Sequence, residues 1–285
     1  MVTLYQEVRE ALHGSTFKPR KRLGQNFLIH EGPLAEILRF LDLSFEDEIL
    51  EIGPGLGFLT RRLVESARKV WAIEVDPFLV QRLYTSPLGQ SPALELIHGD
   101  ILKVELDAIL PDHKVKLVAN LPYAISTPVL FRLFESRAHF SLMVLMVQRE
   151  VAERLAASPG TKSYGSLSVW CQIHGKILDK AFVSPEAFFP RPKVRSTILK
   201  LALYPEPIVP AELFPLLRGL VRGAFGQRRK TLSNALAGLF QKQKNEIEGF
   251  LTREGIDPRR RGETLSVAEF TRLAQALRKE LIADR

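Results

Sequence analysis

The sequence predicts an α/β chain: a mostly parallel sheet with crossover helices, followed by a small all-α C-terminal domain. Three observations carry this. Short β-rich apolar runs alternate with helical patterns over roughly the first 200 residues, the mark of repeated βαβ units. A proline-rich stretch, "YPEPIVP" (Tyr204–Pro210), then interrupts the pattern. Beyond it the apolar residues recur with helical period.

Element by element, strands are predicted at Glu48–Ile52, Lys69–Glu74, Leu94–Ile97, Val115–Ala119 and His139–Val147. Helical stretches lie between them, at Leu59–Ser66, Leu79–Thr85 and Thr127–Phe134, the last with Val129, Leu130, Leu133 and Phe134 on one face. Leu167–His174, which holds Trp170 and Cys171, and Lys193–Leu203 read as two more strands around the loop "VSPEAFFPRPKV". The sheet is therefore expected to end in an antiparallel pair. The proline-rich linker sets the expected domain boundary, with a sheet domain over 1–205 and a helical domain over 206–285. Helices are predicted there at Pro210–Phe225, Thr231–Phe240, Asn245–Glu254 and Ser266–Ile282, and Ser266 with Glu269 has capping-box spacing.

Composition narrows the function classes. The 285 residues are 46% hydrophobic and 25% charged, ordinary for a soluble globular protein. No apolar run approaches the ~18 residues of a membrane span, and the N-terminus, with Glu7, Arg9 and Glu10, does not read as a signal peptide. A single cysteine, Cys171, excludes an internal disulfide and a cysteine metal cluster; a cytoplasmic location and no metal site are expected. The net charge is +8, of which the last 80 residues hold 15 Lys/Arg against 10 Asp/Glu. Such a surplus suits a nucleic-acid partner but is equally a solvated basic surface.

"EILEIGPGLGFLT" places Gly53, Gly55 and Gly57 after a strand and before a helix, where glycine permits a tight turn and close ligand approach. The spacing is neither the G-x-G-x-x-G dinucleotide fingerprint nor a P-loop. Glu74 ends the second strand, where a carboxylate can accept from two ribose hydroxyls. Asp100, in "HGD" after the third, can accept from an adenine amino group. Three successive strand ends on one sheet edge point to a nucleoside-type ligand. With no diphosphate to cradle, the loop favours S-adenosylmethionine, and the chain here resembles the Rossmann-like class I methyltransferases. Read as local structure alone, the same residues are turns and helix caps.

"VANLPYAISTPVLF" follows the fourth strand on the same edge. Methyl transfer from a sulfonium to nitrogen is an in-line displacement, and an exocyclic adenine amine is a weak nucleophile. Acceptors that draw its hydrogens aside help: the Asn120 side-chain carbonyl and the Leu121 backbone carbonyl. Pro122 lacks an N–H to compete for them and stiffens the bend, and Tyr123 offers a face for a planar base. The stretch also reads as a helix entry, with Ser126 as cap and Pro128 in the first turn. Asn-Leu-Pro-Tyr resembles the Asn/Asp-Pro-Pro-Tyr amino-methyltransferases, which act on adenine, cytosine or glutamine nitrogens.

"RKRLGQNFL", "NLPYAIST", "MVQREVAERL", "YGSLSVWCQ", "AFFPRPKV" and "GQRRKTLSNAL" together resemble the bacterial small-subunit rRNA adenine N6,N6-dimethyltransferases, in order and from about Phe17 to the last helix. The resemblance implies dimethylation of two adjacent adenines in a hairpin loop near the 3′ end of small-subunit rRNA, within an immature subunit, by a monomer. It implies an N-terminal lid over residues 1–30 and a cofactor set of Gln25, Asn26, Leu28, Gly53, Gly55, Gly57, Glu74, Asp100, Ile101 and Asn120. It also implies that Tyr123 and Phe188 sandwich the flipped adenine, with Phe189 the neighbouring alternative. Lys18, Arg20, Lys21, Arg22, Arg228, Arg229 and Lys230 are the expected RNA contacts, and Arg259, Arg260 and Arg261 form a further basic cluster. Ile29-His30 departs from the more polar or acidic pair expected after Phe27-Leu28. Two competing readings are an adenine dimethyltransferase of large-subunit rRNA, which Leu121 and "RRKTLSNAL" disfavour, and a non-catalytic RNA-binding relative, which the intact glycine loop disfavours.

Overall fold

A computed structural model describes residues 4–13, 19–20, 23–227 and 229–283. The chain forms two compact units. One runs through Ala152 and resumes over Lys176–Leu203; the other comprises Glu153–Gly175 and the chain from Tyr204 onward.

The first unit is built on a seven-stranded sheet. Its strands are β2 (Glu48–Ile52), β3 (Lys69–Glu74), β4 (Leu94–His98), β5 (Val115–Asn120), β6 (Phe140–Gln148), β7 (Gly175–Val183) and β9 (Ser196–Leu203). They lie in the order β4-β3-β2-β5-β6-β9-β7. Strands β4 through β6 pair in parallel, and β9 runs antiparallel to β6. Parallel strands covered on both faces read as unbroken apolar runs; accordingly Met143, Val144, Leu145, Met146 and Val147 are all buried. The crossovers carry α3 (Phe58–Val64), α4 (Pro77–Tyr84) and α5 (Ser126–Glu135), preceded by α1 (Leu4–His13) and α2 (Glu31–Leu41). Helix α5 buries Val129, Leu130, Leu133 and Phe134, the face its periodicity predicts. A separate two-stranded ribbon pairs β1 (Phe27–Leu28) with β8 (Phe188–Phe189).

Register explains why the site forms where it does. Ile52 lies beside Ile73 on β3 and beside Ala119 on β5. The residues that follow, Gly53, Glu74 and Asn120, therefore emerge side by side at the carboxyl edge. Glu74 pairs with His98, which puts Gly99 and Asp100 just beyond the same edge.

The second unit holds α7 (Ser166–His174), α8 (Phe214–Gly226), α9 (Leu232–Phe240), α10 (Lys244–Arg253) and α11 (Val267–Ala283); α6 (Arg149–Leu155) leads the chain into it. Leu167–His174 is therefore a helix, not the predicted strand. Leu167, Val169, Trp170, Cys171, Ile173 and His174 are buried around its whole circumference, and a helix without a polar face shows no amphipathic period. Trp170 stacks on His174 at 5.7 Å, and Phe214 meets both edge-on. The expected antiparallel partner is β9 against β6, with β7 outside β9. The units also divide differently from a single cut at 205, because Glu153–Gly175 belongs with the helices. The capping box of α11 is present: Ser266 N–H donates to Glu269 at 2.8 Å, and Glu269 N–H to the Ser266 hydroxyl at 3.2 Å. Arg260 completes it with an ion pair to Glu269, which, as the largest influence, holds that carboxyl down at about 2. No helix among the described residues is long and apolar enough to cross a membrane.

Candidate active site

A cavity opens at the carboxyl edge of β2, β3, β4 and β5. Gln25, Asn26, Leu28, Gly53, Gly55, Glu74, Asp100, Ile101 and Asn120 line it, as do Leu121, Pro122 and Tyr123. Gly53 has φ +73°, and a Cβ there would meet nothing within 4 Å, so the backbone presents an open face to a ligand. Gly57 is different. It caps α3 with φ +84°, and a Cβ would sit 2.6 Å from Leu83. It lies outside the lining; close helix packing, not ligand approach, requires the glycine.

Glu74 is a structural hub as well as a lining residue. One oxygen accepts from the N–H groups of Val75 and Asp76, both at 2.9 Å, and the other from Gly55 N–H at 3.1 Å. The carboxylate thus ties the glycine loop to the end of β3. Burial raises its pKa despite those three donors. Asp100 accepts from Leu102 N–H at 3.0 Å through Oδ1, a local turn that leaves Oδ2 to accept from a ligand.

The segment before β1 is latched over this edge by Arg20 and Gln25 through Asp76, which the sequence did not single out. Asp76, fully buried and the N-cap of α4, accepts from Gln25 at 2.7 Å and from Phe78 N–H at 3.0 Å, and pairs with Arg20 at 3.3 Å. Gln25 in turn accepts from Arg20 N–H at 2.7 Å. Phe27 packs on the glycine loop, 3.3 Å from where a Cβ on Gly55 would lie. Asp-Pro at a helix start signals a cap; nothing in spacing links it to Gln25, 51 positions away.

Asn120 donates through its side-chain N–H to the Asn26 carbonyl at 3.3 Å, and Asn26 donates to the Gly24 carbonyl at 2.9 Å. The amide oxygen Oδ1, always an acceptor, is not used in that bond. Leu121 N–H continues the β5–β6 ladder to Met146 at 3.0 Å, which holds the turn rigid. The Tyr123 and Ser196 hydroxyls share a hydrogen bond of 2.7 Å, so the ring is anchored from β9. Ser126 does not cap α5: it is the first helical residue, Ile125 is the N-cap, and the Ser126 hydroxyl donates to the Tyr123 carbonyl at 2.9 Å.

Phe188 departs from expectation. It is 2% exposed and packs among core residues such as Leu28, Leu34 and Ile37, and it does not line the cavity. Phe189, its neighbour on β8, is 42% exposed and is the accessible ring of the pair. Of the predicted RNA contacts, Arg229 and Lys230 are exposed, and Arg20 is half committed to Asp76. Lys18, Lys21, Arg22 and Arg228 lie outside the described residues. Arg260 is occupied with Glu269 and Thr264, and Arg259 with Asp257 at 3.0 Å.

The lining contains no lysine, arginine or histidine among the described residues but includes Glu51, Glu74 and Asp100. Glu51 is a site residue that the sequence does not reveal: it sits inside an apolar strand and reads as part of the turn motif. Acids around an apolar nucleoside-sized space suit a ligand with net positive charge, as S-adenosylmethionine has.

Residues 16–279 match the family model of the ribosomal RNA adenine dimethylases. The chain belongs to that family. Its similarity to curated members runs nearly end to end. The ribosomal RNA small subunit methyltransferase A of Clostridium botulinum strain Langeland is 43% identical over 272 residues, covering 94% of this chain and 98% of the relative. That of Clostridium perfringens strain SM101 is 43% identical over 276 residues, covering 96% and 95%. Among solved structures, a dimethyladenosine transferase from Plasmodium falciparum is 28% identical with a TM-score of 0.75, over 89% of this chain and 98% of that one. The 23S rRNA methyltransferase ErmE is 25% identical with a TM-score of 0.65, over 89% and 100%. As a ribosomal RNA adenine dimethylase the chain is a methyltransferase that uses S-adenosylmethionine, on a class I fold.

Proposed function

We propose that the chain methylates N6 of two adjacent adenines in a hairpin loop near the 3′ end of small-subunit rRNA, giving N6,N6-dimethyladenosines late in subunit assembly. The observation that carries the chemistry is Asn120. One side-chain N–H is engaged by the Asn26 carbonyl, and Asn120 lines the cavity, where its Oδ1 can accept from a substrate amine. S-adenosylmethionine, when bound, supplies an electrophilic methyl group on a sulfonium.

The protein's residues supply position and polarity. Asn120 Oδ1 and the Leu121 carbonyl accept from the adenine amine, hold it in place and favour the lone pair's alignment with the methyl carbon. The Tyr123 ring, fixed through Ser196, gives the base one stacking face. Glu74 and Asp100 are the acceptors for ribose and adenine. The lining, mostly apolar, excludes water and strengthens each polar contact. Arg229 and Lys230 are exposed cations for rRNA phosphates, and Arg20 joins the lid to the same partner. The protein acts as a monomer in the cytoplasm.

The test is radiolabelled methyl transfer from S-adenosylmethionine to immature small subunits. Label in small-subunit rRNA is expected. Tight binding of cofactor and subunits with no label would leave only the non-catalytic reading.

A further inference from the structure

The outer edge of the sheet presents a cationic, aromatic face that the active-site cavity does not include. β7 is the terminal strand, beyond β9, and its side chains alternate between two faces. One row is committed to α2: Asp179 pairs with Arg39 at 3.3 Å, and Ala181 and Val183 pack in the core that holds Leu34 and Ile37. The other row, Lys176, Leu178, Lys180 and Phe182, is exposed, Phe182 to 70%. At the carboxyl end of this row Phe182, Ser184, Pro185, Glu186, Arg191 and Arg195 line a groove. Glu186 is neutralised by Arg191. Lys176, Lys180 and Arg195 have no acid partner among the described residues, so the face carries uncompensated positive charge. Lysines on an edge strand discourage strand pairing. A bare phenylalanine ring beside an unpaired arginine does not serve that end, and holding such a ring in water is unfavourable. The Arg195 carbonyl accepts from Arg149 N–H at 2.9 Å, which fixes the chain where β9 begins. The next residue, Ser196, anchors the Tyr123 ring.

We propose that this groove is a second nucleotide subsite, which takes an unpaired nucleotide of the rRNA outside the methyl-transfer cavity: the Phe182 ring stacks the base and the Arg195 guanidinium meets its phosphate. Lys180 and Lys176 continue the charge along β7 for the strand that leads away. The proposal rests on the rRNA methyltransferase reading. The occupant follows from the chemistry of the face. Free cations without acids between them suit a polyanion, and an exposed ring among them suits a planar base whose own face is free, which a single strand offers and a duplex does not. An anionic membrane would ask for a broader apolar surface than one phenylalanine and one leucine. Because Arg195 is next in the chain to the residue that fixes Tyr123, a nucleotide held here restrains the same strand whose adenine enters the cavity. The groove therefore contributes to affinity and to register, not to the methyl-transfer step.

The experiment compares the full chain with Phe182→Ala, Phe182→Tyr, Phe182→Leu and Arg195→Ala, all at exposed positions, in binding to and methylation of immature small subunits. Phe182→Ala should weaken binding by ~5- to 100-fold, the size of one lost base stack. It should raise KM for subunits with kcat unchanged. Phe182→Tyr should restore affinity and Phe182→Leu should not. Arg195→Ala should make the log–log salt slope shallower by ~0.7, a slope that Phe182→Ala leaves alone. Benzoylphenylalanine placed at 182 and irradiated in the complex should attach to rRNA. Wild-type affinity and slope in both alanine variants overturn the proposal while methylation by the wild-type chain leaves the methyltransferase reading intact. Attachment to a ribosomal protein alone, or rescue by Phe182→Leu as full as by Phe182→Tyr, also overturns it, because the ring would then make an apolar contact with a protein surface. Subunits that bind the wild-type chain but take no methyl group overturn the methyltransferase reading, and with it the proposal that rests on it.

Discussion

At the scale of single residues, chemistry depends on which atoms remain free after the fold has used the others. Asn120 spends its donor on Asn26 and keeps its acceptor. Asn120→Ala should therefore leave RNA affinity within a few-fold and lower single-turnover methyl transfer at saturating cofactor by ~10²-fold, the usual size for one preorganised polar contact; an unchanged rate would make Asn120 a purely structural tie. Glu51 predicts a stability profile. Burial raises its folded-state pKa to about 8, well above the ordinary carboxylate range. The folded protein therefore holds a proton that the unfolded chain has already lost, and stability falls as pH climbs through that window. The slope is ~1.4 kcal/mol per pH unit at most. Thermal unfolding of cofactor-free protein from pH 5 to 8 should show the fall, and Glu51→Gln should flatten it; parallel curves for the two proteins would contradict the assignment. Residue roles are only partly legible in the sequence. The strand-end acids and Asn-Leu-Pro-Tyr can be placed because a strand end fixes where its last side chain goes. Gly57, Phe188 and Glu51 cannot, because burial against Leu83, core packing and an orphaned oxygen are properties of tertiary neighbours.

At the scale of elements, the glycine loop has two jobs that spacing alone does not separate. Gly53 faces open space, whereas Gly57 is locked under Leu83 and Leu88 at positive φ. Gly57→Ala should destabilise the protein by ~1–3 kcal/mol through backbone strain and overpacking. A melting experiment should show a lower midpoint with cofactor affinity changed little at temperatures where the variant is folded; an unaltered midpoint would mean the α3–α4 packing relaxes without cost. The elements themselves are legible wherever one face is apolar and the other polar. The β2 to β6 series and α5 follow their predicted patterns, as do the tail helices and the Ser266–Glu269 box. Where that contrast vanishes, the reading fails. Helix α7 is buried on every side, so its apolar run carries the same signal as a buried strand. The short β1–β8 ribbon, two residues to a strand, is below the length at which alternation is visible.

At the scale of the whole molecule, the net charge of +8 and the excess in the last 80 residues acquire a purpose with an rRNA partner. Part of that charge is internal: Arg260 stabilises the start of α11 through Glu269, and Arg259 pairs with Asp257. Arg229 and Lys230 remain exposed. If both meet phosphates, replacing the two with alanine should weaken RNA binding across sequences. The log–log salt slope should also become shallower by ~0.7 for each single-strand phosphate that no longer meets a cation; a slope that does not move would remove them from the interface. The fold class is legible because βαβ repetition is a chain-long pattern, and the division into units is less so because Glu153–Gly175 joins the helices from the middle of the sheet sequence. Everything above converges on methyl transfer to two neighbouring adenines of small-subunit rRNA. Mass-spectrometric mapping of rRNA adenines, after immature subunits are incubated with the protein and S-adenosylmethionine, tests it head-on. Two adjacent N6,N6-dimethyladenosines near the 3′ end of small-subunit rRNA are expected; methylation confined to large-subunit rRNA, or none in either, would contradict it.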